Sequence, residues 1–128
     1  MGYTNYTEVV AQLNTSWDTD VIAKPTFKDW QKLHDLKPTN LYIGYFGATA
    51  DKATTGATSK DNILTTWKIR AVAESKVNID KYLDEIRRIL NAYDLTNGFW
   101  HVVGWTLQKT GKLFYYELNC RETFWDFA

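Results

Sequence analysis

From Ile63 to Glu74 the sequence alternates without a break. Ile63, Thr65, Trp67, Ile69, Ala71 and Ala73 stand against Leu64, Thr66, Lys68, Arg70, Val72 and Glu74. A period of two places these sets on opposite faces of an extended strand. The odd-numbered set is the more apolar and is expected to face a core. A strand this long, roughly 40 Å at ~3.3 Å per residue, needs strands beside it and a layer over its apolar face. That requirement rules out an all-helical fold.

The covering layer is legible next. Ile79, Tyr82, Leu83, Ile86, Ile89, Leu90 and Tyr93 follow helical spacing after Asn78, which is expected to cap the helix. Asp80 near its start and Arg87 and Arg88 near its end suit the helix dipole. A first helix is expected over Asn5–Trp17, from the capping pair Asn5 and Glu8 and the stripe Tyr6, Val9, Val10, Leu13 and Trp17. Thr26 and Asp29 open a second, short helix carrying Phe27, Trp30 and Leu33, which Pro38 ends. Leu41–Phe46 reads as a strand. Residues 47–61, GATADKATTGATSKD, contain no large apolar side chain and read as a long, exposed hairpin tip. Phe99–Gln108 and Lys112–Asn119 form a closing hairpin around Gly111, and Phe124, Trp125 and Phe127 follow in the tail.

These elements define an α+β class: a four-stranded, mainly antiparallel sheet with two helices on one face. The order is α, short α, β, β, α, β, β, with the polar loop between the first two strands. The length fits a single domain over residues 1–128. Two helices shield one sheet face. The other, to which Trp100, Phe114 and Tyr116 are assigned, is left without cover, and aromatic residues make up 16% of the chain. Uncovered apolar area of that kind marks an interaction surface, and the tail residues Phe124, Trp125 and Phe127 extend it.

Fifteen basic residues balance fifteen acidic ones without a long run of either sign, whereas nucleic-acid binders draw affinity from a basic excess. No apolar run approaches the ~20 residues that span a bilayer, so no membrane partner is expected. Cys120 is the single cysteine. With His34 or His101 it could form a nucleophile pair, but no local motif surrounds it and the packed reading prevails. Two isolated histidines do not make a zinc site, and Asp18 and Asp20 lack the rest of a calcium loop. Gly56–Lys60 lacks the ending of a phosphate loop. Lys68, Arg70, Arg87 and Arg88 could form a basic patch, but with a neutral net charge a solvated strand face and an ordinary helix C-terminus are the favoured explanation. No catalytic, cofactor-binding or metal-ligating residue is expected, and the chain reads as a non-enzyme.

The layout resembles the tail-terminator and head–tail completion proteins of long-tailed phages. It rests on the helix Asn5–Trp17, the strand Leu41–Phe46, loop 47–61, the strand around Trp67–Arg70, the helix Ile79–Tyr93 and the aromatic hairpin. The resemblance implies a virion protein, assembled in the host cytoplasm, that forms a homo-oligomeric ring, commonly a hexamer. The ring caps the tail tube, meets neck proteins, and sees nucleic acid only as it passes through. Loop 47–61, with Asp51, Lys52 and Lys60, would project from the ring, and deleting 50–58 would leave the fold intact. The competing class is a dimeric ferredoxin-like domain whose Trp67, His101, Trp105 and Tyr115 line a ligand pocket.

Overall fold

A computed structural model describes residues 6–30, 36–52, 60–91, 94–95 and 98–127. Helix α1 (Tyr6–Ser16) leads into strands β1 (Thr26–Asp29), β2 (Asn40–Lys52) and β3 (Lys60–Ala73). Helix α2 (Lys76–Asn91) follows, then β4 (Asp94–Leu95), β5 (Gly98–Thr110) and β6 (Leu113–Phe127). The described strands form one sheet in the order β1-β2-β3-β6-β5-β4. Its four long strands are mutually antiparallel, as expected. Two short edge strands correct the four-stranded expectation: β1, parallel to β2, and β4, antiparallel to β5.

β1 occupies the first four residues of the expected short helix, Thr26–Asp29. They pair with Asn40–Ile43 of β2, and this non-local pairing outweighs a weak local start signal. The rest of that expectation, with Leu33 and His34, lies largely outside the described residues.

The expected loop is also shortened from both sides. Asp51 and Lys52 belong to β2, opposite Asn62 and Asp61, and Lys60 belongs to β3, opposite Phe127. A deletion of 50–58 would therefore remove the paired strand residues Ala50, Asp51 and Lys52. Residues 53–59 lie outside the described residues.

The odd-numbered set of β3 faces the core as expected: Thr65, Trp67, Ile69, Ala71 and Ala73 are buried. They pack with Leu41 and Ile43 of β2, Tyr116, Leu118 and Cys120 of β6, and both helices. Helix α2 contributes Ile79, Tyr82, Leu83, Ile86, Ile89 and Leu90, the stripe read from its periodicity. Its cap is Ser75 rather than Asn78, since the amide of Asn78 donates to Ser75 Oγ at 3.1 Å. Helix α1 adds Val9 and Leu13, and Trp17 behind it meets Tyr82 with ring centroids 5.9 Å apart.

A buried carboxylate fastens the two helices together. Glu85 of α2 accepts from the Asp18 amide at 3.0 Å and from Arg88 at 2.8 and 2.9 Å. Arg88 also donates to the carbonyl oxygen of Ser16 at 2.6 Å. The Arg88 hydrogen bonds hold the Glu85 carboxyl below the usual carboxylate range; burial opposes them and the Asp18 amide assists. A carboxyl depressed in the folded state contributes stability above its unfolded pKa and loses it as pH falls through the folded value. The urea midpoint is therefore expected to fall below pH 4–5, and Glu85→Gln to fall less steeply than wild type over the same titration.

Candidate interaction surface

The helix-side face of the sheet does not end where α2 ends. Along β5, Trp105 and Leu107 on this face are 42% and 37% exposed, and Val103, unpaired at a bulge before them, is 49% exposed. The Arg87 guanidinium of α2 lies 4.1 Å from the Trp105 ring centroid, a cation–π contact at the rim of the helix layer. Its Nε is buried with no acceptor among the described residues. On the opposite margin of the sheet Tyr45 and Phe46 are also about half exposed. Tyr45 packs edge-on against Trp67, and Phe46 against Trp30.

The residues first assigned to an uncovered face lie elsewhere. Trp100 and Tyr116 are buried beneath the helices, and Phe114 packs half-buried against the same core. A bulge between Val102 and Gly104 shifts the phase of β5, so that Trp100, Val102, Trp105 and Leu107 share the helix side. The second face is partly covered. Trp30 and Leu36 close over Tyr42, Val72, Leu113 and Tyr115 in a smaller apolar cluster. Phe124, Trp125 and Phe127 are placed by backbone register alone, opposite Ile63, Asn62 and Lys60, and their side chains lie outside the described residues.

The proposed pocket does not assemble. Trp67 and Trp105 belong to the helix side, whereas His101, opposite Arg121, and Tyr115 belong to the second face. The basic residues also separate. Arg70 stacks on Trp30 at 3.9 Å and pairs with Glu117 at 3.1 Å, and Lys68 lies over Phe46. Arg87 and Arg88 serve the opposite face and the helix junction.

Cys120 is buried, and burial pushes its thiol up to about 12, so it offers no thiolate near neutral pH. A thiol reagent at pH 8 is expected to leave it unmodified in the folded protein and to react fully in denaturant. His101 is lowered by burial and by the charge of Arg121. Among the described residues no group of three metal-ligating side chains converges, and no helix is long and apolar enough to cross a membrane.

A polar cluster that sequence reading missed lies inside the core. Glu122 is fully buried and accepts from Thr65 Oγ1 at 2.7 Å and from Trp100 Nε1 at 3.1 Å. Its parity could have revealed it. Phe114, Tyr116, Leu118, Cys120 and Glu122 fall on one face of β6, so a charge at the fifth position had to enter the core.

No protein-family model and no curated protein matches the sequence. Among solved structures, a chain from the virion of a native gene transfer agent (GTA) particle is similar in fold. The TM-score is 0.50 and the identity 12%, over 92% of this chain and 92% of that one.

Proposed function

We propose that this chain is a structural subunit of a phage-like virion, acting as a single domain rather than as an enzyme. In finer terms it is a tail-terminator or neck-like protein. Copies form a ring, hexameric in the family it resembles, that caps the tail tube and joins it to the head. The observation that carries the reading is the likeness of fold to a virion chain over nearly the full length of both. The exposed Trp105 and Leu107, with Val103 at the bulge beside them, support it, because a subunit built for assembly leaves apolar area for a neighbour to bury. Phe124, Trp125 and Phe127, in the part of β6 paired with Lys60–Ile63, would add to subunit or neck contacts, and the segment after Lys52 would meet the adjoining ring.

Two measurements test this. Native mass spectrometry of the purified chain should show a closed oligomer larger than a dimer. Particles made without the gene should accumulate as separate heads and tails. A tight dimer together with normally joined particles would overturn the proposal.

A further inference from the structure

Among the described residues, the sheet's two margins lack a neighbouring strand at opposite ends. On one side β1 pairs only with Asn40–Ile43, and no described strand lies beside Gly44–Lys52 of β2. On the other, β4 reaches only Gly98 and Phe99 of β5, and no described strand lies beside Gly104–Thr110. Such edges present backbone amide and carbonyl groups without strand partners, and natural proteins protect them unless they are used. Here the β5 edge bears the exposed Trp105 and Leu107, and its one charge, Lys109, lies over the Phe114 ring at 5.2 Å.

From this we infer that the open β2 edge of one copy pairs with the open β5 edge of the next, joining their sheets head to tail. The inference deepens the ring reading and rests on it. Strand direction permits the pairing. β2, β3, β6 and β5 alternate in direction, so copies set side by side in one orientation bring an antiparallel β2 to β5.

The position of the two edges supports closure. The open part of β5 centres on Leu107, in the row Leu107–Tyr116–Ala71–Leu41. The open part of β2 centres on Ala48, in the row Trp100–Glu122–Thr65–Ala48. Along β6 these rows lie six residues apart, from Tyr116 to Glu122, or ~20 Å at about 3.3 Å per residue. Four strands spaced ~4.8 Å apart give each copy a width of ~19 Å. Copies joined with that offset close without climbing only if the strands tilt by ~45° to the ring axis, near the upper end of the 35–45° tilt of closed barrels. A second copy therefore fits the edge in direction, length and stagger. The neighbour's strand would also flank Trp105 and Leu107 and remove them from water.

The test blocks each edge separately. A Val103→Lys/Leu107→Lys chain carries charge on the β5 margin, and a Tyr45→Lys/Ala50→Pro chain disrupts the β2 margin. Circular dichroism and thermal melts establish that both are folded. If either fails to fold, hydrogen exchange on the wild-type assembly reads the same contact, through protection of the 44–52 and 104–110 amides relative to the dilute monomer. Each blocked chain alone should be monomeric, and their equimolar mixture should give one-to-one pairs through the single remaining compatible edge couple. Three outcomes overturn the inference: a blocked chain that still forms rings, a β2-blocked chain that dimerises alone through β5, or unprotected edge amides in the ring. In all three the wild-type ring persists or self-association remains, which separates this failure from failure of the ring reading. A wild-type chain that never associates overturns both.

Discussion

Replacing Glu122 with Ala is expected to lower the stability of the fold by about 3–5 kcal/mol. The carboxylate accepts from Thr65 Oγ1 and Trp100 Nε1 in a position with no exposure to water. Alanine leaves both donors buried and unsatisfied, at about 1–3 kcal/mol each, and opens a small void beside them. Glu122→Gln keeps one acceptor oxygen but turns an amide N–H₂ toward the other donor, so it should cost roughly half as much. Thr65→Val removes one donor and should cost about 1–2 kcal/mol. Urea unfolding followed by tryptophan fluorescence measures all three. A Glu122→Ala midpoint close to that of wild type would show that water reaches these donors.

Trp67→Ala should be about as damaging, by another route. The indole is 2% exposed at the centre of the sheet, packed on Trp100 at 5.4 Å and Tyr45 at 5.0 Å between ring centroids. Removing it leaves a cavity no neighbour can fill, a loss of about 3–5 kcal/mol. For a chain of this length that corresponds to a fall in Tm of order 10–20 °C. Trp67→Phe is expected to cost far less, because Trp67 Nε1 is buried with no acceptor among the described residues and its removal forfeits no hydrogen bond. Trp100→Phe should be worse than Trp67→Phe, since it strips a donor from Glu122. Calorimetry on the three variants ranks them, and a reversed order of the two phenylalanine variants would refute this account.

Where one periodicity ran unbroken, the sequence could be read directly. The stripe of α2 and the odd-numbered face of β3 appear in the structure as their spacing implied. What could not be read was set by partners distant in the chain. Thr26–Asp29 is a strand because β2 lies beside it. Ala48–Lys52 stays extended because β3 pairs with it, although small and charged side chains give no alternation to detect. The β5 bulge has no compositional mark beyond Gly104, yet it moves Trp105 and Leu107 to the face of Trp100 and Val102. The expected aromatic outer face fails independently of the bulge, because Phe114 and Tyr116 share the helix side of β6, which keeps one register with β3 throughout, and exposed apolar residues appear at the margin instead of across the sheet. The buried Glu122 was hidden because the last strand was expected to end at Asn119 with the Phe114–Tyr116 face outward, whereas it runs to Phe127 with that face in the core.

The pairing of β3 with β6 also has a mechanical consequence. Lys60–Ala73 runs antiparallel to Phe127–Phe114 without a register break in the middle of the sheet. Antiparallel backbone bonds lie perpendicular to the strands, so a pull directed along β3 against β6 loads every rung simultaneously instead of opening them one by one. A subunit held at opposite ends of these strands would yield abruptly, at high force, rather than stretch. Single-molecule pulling along that axis should show one sharp rupture, and pulling across it a low, gradual one.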